Sequence, residues 1–137
     1  LYFTGYDGED ACPDMGDSAI TETFGVGGMA MIAAPAVTRF VGAGGFEDAL
    51  HTSNEMMEIC VDRNPNFIVP TWNFQGICLA IDARLVVEKQ ITPVINTGIA
   101  HKTAGYGQIG AGTVHPPMEC FEKAVVAYAK KVGYMNG

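Results

Sequence analysis

The sequence has 137 residues, of which 48% are hydrophobic and only 17% are charged. This length and composition allow one globular domain with a buried core and exclude a disordered chain. The net charge of −7 repels nucleic-acid phosphates, so we expect no nucleic-acid partner. A surface this poor in charge indicates that another subunit, or more of the same polypeptide, covers part of it. We therefore expect an oligomer.

Four cysteines lie far apart in the sequence, at Cys12, Cys60, Cys78 and Cys120. The absence of C-x-x-C argues against a zinc knuckle and a thioredoxin-type site, and predicts free thiols in a cytoplasmic protein. The longest apolar run, residues 25–37, is too short and too rich in glycine to span a bilayer, so we expect no membrane partner. We expect residues 1–137 to form a single domain. Because the sequence starts without Met, we expect this domain to be a fragment of a longer protein.

The first half of the chain predicts helices. Asp17 or Ser18 can cap the first of them, and small apolar residues form a second, buried helix that Pro35 breaks or kinks. A third helix is amphipathic and is stopped by Asn64–Pro65. The first predicted helix begins within the run 14–23, and the other two are 25–42 and 46–64.

The second half of the chain mixes strands with helices. Two strands are predicted to form a hairpin that turns at Gln75–Gly76, with Trp72 in the core or at an interface. Asp82 is favoured as the N-cap of a short helix, and Pro116–Pro117 opens the last helix. The predicted elements are strands 67–74, 76–82 and 92–100 and helices 83–90 and 118–134. Together these patterns predict an α+β fold with a small mixed sheet packed by apolar and amphipathic helices.

Residues 105–110 fit the pattern G-x-G-x-x-G. A dinucleotide-binding fingerprint needs a helix that opens at the motif, and here the run "AGTVHPP" intervenes before any helix. The phosphate-binding pattern G-K-[ST] is also missing. Two readings stay open for this glycine-rich loop: a nest of backbone N–H groups that binds an anion, or an ordinary surface loop.

Polar side chains follow the strand that precedes this loop. Lys102 is a point charge suited to phosphate or carboxylate, and His101 can move a proton near neutral pH. Asn96 can polarise a carbonyl group, and Thr97 follows it. The alternative is that His101 and Lys102 are merely solvated. Loops at strand ends often carry function, so both readings remain.

A second polar cluster lies in the run "PDMGDSAITET". Asp14 and Asp17 offer oxygen ligands compatible with Mg²⁺, and the start of the helix can hold an anion. Helix capping alone explains Asp17 and Ser18, but it does not require all the hydroxyl and carboxyl groups of the cluster. We assign no metal ligands and predict no cofactor.

Five runs in this order resemble the YlbE-like family, whose members are encoded beside FdrA-like proteins and carbamate kinases. The runs are "PDMGDSAITET", "GGMAMIAAPAVTRFVG", "INTGIAHK", "GQIGAG" and "PPMECFEKA". The resemblance implies that this chain is the C-terminal portion of a longer protein. It also implies a subunit of an oxamate carbamoyltransferase in purine (allantoin) nitrogen catabolism, which interconverts oxalurate plus phosphate with oxamate plus carbamoyl phosphate. The implied partners are an FdrA-like subunit, a possible third subunit and a small anionic substrate.

Two hypotheses follow for this chain. In the first, it contributes catalytic groups to carbamoyl transfer, and we expect these to be His101, Lys102 and Asn96. In the second, it is a non-catalytic structural subunit whose apolar helices dock the FdrA-like partner. The residues expected to bind substrate or an anion are Asp17, Ser18, Thr21, Glu22, Thr97, Gly98, Gly105, Gly107, Gln108 and Gly110.

Overall fold

The computed structural model describes residues 1–13 and 17–134. Within these ranges it contains five α-helices and four strands, so the predicted α+β class is confirmed. The α-helices are α1 (Asp17–Glu22), α2 (Pro35–Phe40), α3 (Phe46–Met57), α4 (Ala83–Lys89) and α5 (Met118–Lys131). The strands are β1 (Cys60–Val69), β2 (Gln75–Ile81), β3 (Ile95–Ala100) and β4 (Gln108–Val114).

The strands form two separate antiparallel pairs, β1–β2 and β3–β4, instead of one mixed sheet. The difference arises at β4, where a glycine-rich segment predicted as a loop pairs with β3 over its whole length. Its two glycines and alanine carry no strand preference of their own. Pairing with β3, rather than local sequence, makes this segment a strand.

The β1–β2 pair corrects two predicted boundaries. The third helix ends at Met57 and not at Asn64, because the chain from Cys60 onward is a strand. Pro65 falls where the register of β1 slips, a bulge position that tolerates a residue without an N–H donor. The turn lies at residues 70–74 rather than at Gln75–Gly76, with Pro70–Trp72 in a 3-10 turn.

The apolar segment of residues 25–42 forms two short helices. Residues Gly27–Ala33 are a 3-10 helix with a kink at Ala30, and α2 starts at Pro35, as the break predicted there requires. At Gly28 an added Cβ would lie 2.2 Å from the carbonyl oxygen of Val94. The small residues of this segment therefore let its backbone touch the chain that leads into β3.

The N-terminal residues pack along both strands of the β3–β4 hairpin. The amide of Phe3 donates to the carbonyl of Ile109, and the amide of Cys12 donates to the carbonyl of Ala100, each at 2.8 Å. The first contact lies on β4 and the second at the end of β3. The start of the described chain thus covers part of the edge of β4 and the end of β3.

Two clusters of buried side chains form the core. The first joins α3, the β1–β2 pair and α4, and the second joins the 3-10 segment to the turn between β1 and β2. The first contains Met29, Met56, Ile59, Cys60, Cys78, Val86 and Val94; the second contains Ala30, Ile32, Val69, Trp72 and Ile77. Burial of Trp72 confirms its predicted core position, and the Arg63 guanidinium lies over its ring at 4.5 Å.

The cysteine prediction is wrong for one pair. Cys60 and Cys78, both buried, are joined by a disulfide across the β1–β2 pair, whereas Cys12 and Cys120 are free and exposed. Their separation of 18 residues carried no pairing signal. It is the hairpin that brings the two Cα atoms to 5.7 Å, within the range that a disulfide requires.

Candidate functional site

A buried carboxylate joins three elements next to the start of β3. Glu22, at the end of α1, is only 7% exposed. Its Oε2 accepts hydrogen bonds from the backbone N–H groups of Gly28 and Asn96, each at 2.8 Å. One side chain therefore fixes α1, the 3-10 segment and β3 relative to one another.

The position of the Glu22 carboxylate requires a glycine at residue 27. Gly27 has a φ of +60°, and an added Cβ would lie 2.3 Å from the carboxyl carbon of Glu22. Both the backbone conformation and the available space favour glycine. Ser18, one turn before Glu22, places its hydroxyl 3.4 Å from the carbonyl oxygen of Asn96. The predicted residues Ser18, Glu22 and Asn96 therefore meet in space.

A cavity of about 480 Å³ opens beside this junction. Its walls come from residues 26–37 and 66–69, with Ile77 and Asn96 completing them, and they are mainly apolar. The side-chain oxygen of Asn96 is shut off from solvent and accepts no hydrogen bond from any described residue. Among the described residues that line the cavity, none carries a positive charge.

His101 lies at the opposite end of β3, five residues and about 16 Å from Asn96 along the strand. Its ring stacks on Tyr106 with centroids 4.2 Å apart, and Tyr6 meets it edge-on. The Nδ1 atom accepts from the N–H of Thr103 at 2.9 Å. The ring proton of neutral His101 therefore sits on Nε2, which lies 4.0 Å from the Asp10 carboxylate.

Lys102 holds the N-terminal segment. Its ammonium group donates to the carbonyl oxygen of Glu9, and its backbone N–H donates to the carbonyl of Asp10 at 2.8 Å. The structure thus separates the three residues predicted as catalytic. Asn96 faces the cavity, whereas His101 and Lys102 lie with the N-terminal segment.

The glycine-rich loop is mostly a hairpin. Gly105 and Gly107 have positive φ in the turn, and neither has an atom within 4 Å of an added Cβ. Gln108 and Gly110 lie in β4 rather than in a loop, and the Gln108 amide donates to the carbonyl of Gly110 at 2.9 Å. Gly98 lies opposite, in β3. The backbone groups assigned to an anion nest are therefore largely engaged in strand pairing.

The remaining predicted binding residues are placed as follows. Thr97 follows Asn96 on β3 and pairs with Gly112. Thr21 is exposed on α1. Asp17 begins α1, but its side chain lies outside the described residues, as does Asp14. The part these residues play in binding stays a prediction.

Asp82 is the N-cap of α4, as predicted. Its carboxylate accepts from the backbone N–H of Arg84 at 2.8 Å and also pairs with the Arg84 guanidinium. The side-chain hydrogen bond from Arg84 is the main cause that lowers the pKa of Asp82 below its usual value. This pair supports helix α4 and lies apart from the cavity.

In the ranges 1–13 and 17–134, no three or more His, Cys, Asp or Glu side chains cluster as a metal site would need. The side chains of Asp14 and Asp17 lie outside the described residues, so their compatibility with Mg²⁺ stays an expectation from the sequence. Over those same ranges no helix has the length and apolar character needed to cross a membrane.

Reasoning from the sequence missed the carboxylate junction and the cavity. Glu22 was assigned to substrate binding because it lies among hydroxyl and carboxyl side chains, but its Oε2 is engaged by two backbone donors. The one local signal was the Gly27–Gly28 pair, which marks a close backbone approach but does not name its partner.

Comparison with known proteins places this α+β segment among much longer chains. No protein-family model matches it. It is 65% identical over 133 residues to oxamate carbamoyltransferase subunit AllG of Escherichia coli (strain K12), covering 97% of this chain and 32% of that protein. It is 52% identical over 131 residues to the uncharacterized protein YahG of the same strain, covering 96% of this chain and 28% of that protein.

A solved structure has the same fold. It is the crystal structure of a conserved protein of unknown function from Enterococcus faecalis V583, with a TM-score of 0.81 and 53% sequence identity. The match covers 93% of this chain and 30% of that one. This chain therefore spans about a third or less of each relative it matches.

Proposed function

We propose that this chain is part of a subunit of a carbamoyltransferase complex that acts on oxamate or oxalurate. The observation that carries the proposal is the 65% identity to oxamate carbamoyltransferase subunit AllG, which extends over 97% of this chain. We further propose a protein of purine (allantoin) nitrogen catabolism that assembles with an FdrA-like subunit, as the family resemblance implies. The proposed cytoplasmic location rests instead on the wide spacing of the cysteines, of which Cys12 and Cys120 are free.

The proposed reaction joins oxamate to a carbamoyl group. The amide nitrogen of oxamate attacks the carbonyl carbon of carbamoyl phosphate, a C–N bond forms, and the C–O bond to phosphate breaks. Phosphate leaves and the nitrogen loses one proton, which gives oxalurate. Such a transfer depends mainly on alignment of the two substrates, polarisation of the carbonyl and neutralisation of the leaving phosphate.

The geometry supports only part of this chemistry within the described residues. The cavity beside Asn96 is apolar with a carboxamide at its wall, and no described lining residue is cationic. Lys102, the predicted phosphate ligand, is engaged with the carbonyl oxygen of Glu9. We infer that the groups that neutralise phosphate come from elsewhere in the full-length protein or from a partner subunit.

A structural role is the second candidate, and exposed apolar side chains favour it. Ile20 on α1, Phe40 on α2 and Phe74 in the β1–β2 turn are 84%, 61% and 72% exposed. Large apolar side chains at such exposure mark surfaces that another chain, or more of the same chain, covers. This role and the catalytic role can coexist in one subunit.

The test is a transfer assay with the reconstituted complex. The full-length protein is combined with its FdrA-like neighbour and any third subunit, and is supplied with carbamoyl phosphate and oxamate. We expect oxalurate and phosphate to form only when this protein is present. An assembled complex that forms neither product would overturn the oxamate assignment and leave a different acceptor or the structural role. A complex that assembles and is equally active without this protein would overturn both roles.

A further inference from the structure

Helix α5 has an apolar side that the described chain covers only in part. Met118 and Phe121, at the start of the helix, pack against the first core cluster. Ala124, Tyr128 and Val132 follow one another at four-residue spacing, which places them on one side, and all three are exposed. No described residue of α5 is buried, and none after Phe121 belongs to either core cluster. The second half of the helix therefore lacks a packed apolar face.

The exposed side of α5 lines a groove between α4 and α5. The groove has a volume of about 650 Å³, and most of its lining is apolar. The charged side chains that line it in the described part are Asp82 and Arg84, and they pair with each other. Because these two charges neutralise one another, the groove offers no free charge to an ionic ligand. It is suited to apolar side chains.

The opposite side of α5 differs in character. The lining there includes Glu122, Lys123 and Lys130. Charged side chains at this density are typical of a helix face that stays in water. Helix α5 therefore has one face for solvent, one line of residues that packs on the described chain, and one apolar line along the groove that nothing described covers.

We propose that an apolar segment of the same polypeptide, from outside residues 1–137, fills this groove. The chain covers only 32% and 28% of its two Escherichia coli relatives and 30% of the chain in the crystal structure, so most of such a protein is available to supply the segment. A segment of the same polypeptide is present in every copy at high effective concentration. Permanent cover of this kind is what α5 needs, because a helix of 14 residues is marginal in water without a packed apolar face.

The first test is thiol labelling of the full-length protein without partner subunits. Val132 lines the groove and Val126 lies on the opposite side of α5, and in the described segment their exposures are almost equal, 44% and 43%. Val132→Cys and its matched control Val126→Cys are treated with a maleimide, and mass spectrometry of the digested protein gives the rate at each site. We expect Val132→Cys to react about tenfold or more slowly, because the groove is filled. Equal rates at the two sites, fast or slow, would overturn the proposal.

A photo-cross-link then identifies what fills the groove. The photoreactive residue p-benzoylphenylalanine in place of Tyr128 keeps an aromatic side chain in the groove and reacts with C–H bonds that lie against it. We expect a product with the mass of one chain, in which the cross-linked peptide comes from outside residues 1–137. A product of two chains would show a second copy in the groove, and a product that forms only with an added subunit would show a partner there; either result would overturn the proposal.

Two further results would also count against the segment. A cross-link confined to residues 1–137, or none in the folded protein, would show that the groove is empty. Neither test involves carbamoyl phosphate or oxamate, so their outcome is independent of the transfer assay.

Discussion

At the scale of single residues, Glu22 has the largest structural consequence. Its carboxylate is buried and connects residues that are 74 positions apart in the sequence. Charge-assisted hydrogen bonds of this kind are about twice as strong as neutral ones, and both donors here are backbone N–H groups that lose their acceptor if the carboxylate is removed.

We expect Glu22→Ala to destabilise the protein by several kcal/mol, since each orphaned buried N–H costs about 1–3 kcal/mol. Glu22→Gln keeps an acceptor and should cost less, about 1 kcal/mol. Urea unfolding of the full-length protein measures both, with Glu88→Gln on the exposed surface of α4 as the control. If Glu22→Ala is no worse than that control, the junction does not stabilise the fold.

Gly27 permits a second prediction at this scale. Gly27→Ala meets both a positive φ and a Cβ only 2.3 Å from the Glu22 carboxyl group. Gly42→Ala is the matched control, because Gly42 has a φ of +73° but open space around an added Cβ. We expect both variants to lose about 1 kcal/mol for the backbone conformation, and Gly27→Ala to lose clearly more. Equal losses in unfolding experiments would mean that Glu22 moves aside without cost.

At the scale of elements, local signals were reliable where a helix has a strong cap. Asp82 was identified as an N-cap from its place after an apolar run, and the structure confirms this for α4. The same kind of signal failed for α3, whose predicted stop at Asn64–Pro65 lies within β1. Proline is compatible with both a helix end and a strand bulge, so it does not discriminate between them.

The cap of α4 has a pH-dependent consequence. The pKa of Asp82 is lowered in the folded protein, so its contribution to stability is present above the usual range of an Asp carboxyl and is lost as the pH falls through the lowered pKa. We expect Asp82→Ala to cost about 0.5–2 kcal/mol at pH 7, and this cost to shrink at acidic pH.

The control for this prediction is Asp82→Asn, since asparagine also caps helices but does not titrate. Neither alanine nor asparagine titrates at this position, so the cost of both substitutions should shrink by the same amount in acid, whereas Asp82→Asn should cost less than Asp82→Ala at every pH. A cost of Asp82→Ala that is the same at pH 7 and in acid would show that the charge of Asp82 contributes nothing to α4.

At the scale of the whole molecule, the chain leaves apolar surface uncovered. Ile20 is 84% exposed, and none of the described residues of α5 is buried. The relatives it matches are about three times longer, so most of such a protein lies outside this segment. The apolar surface is then available to the rest of the polypeptide or to a partner.

We expect Ile20→Glu to reduce assembly of the full-length protein with its partner subunits, because a charge would be buried at a covered apolar surface. Asn54→Glu adds the same charge at an exposed position of α3 and should assemble normally. Gel filtration of the mixed subunits measures the difference. Normal assembly of the Ile20→Glu protein would place the partner surface elsewhere.

The sequence by itself determined the features that depend on neighbouring residues. Composition and periodicity predicted the α+β class, Asp82 marked the start of α4, and Pro116–Pro117 marked the start of α5. The rejection of a dinucleotide fingerprint also came from local order, because the motif is not followed by a helix. In each case the physical cause is a cap, a turn or an apolar stripe that acts within a few residues.

The tertiary structure decided what depends on residues far apart in the chain. Pairing with β3 turned a glycine-rich segment into β4, and the β1–β2 hairpin brought Cys60 to Cys78. Lys102 meets Glu9 across 93 positions, which removes it from the cavity where Asn96 lies. A sequence states which groups a chain carries. Which of them share a site depends on packing that closes long loops, and no local pattern encodes that.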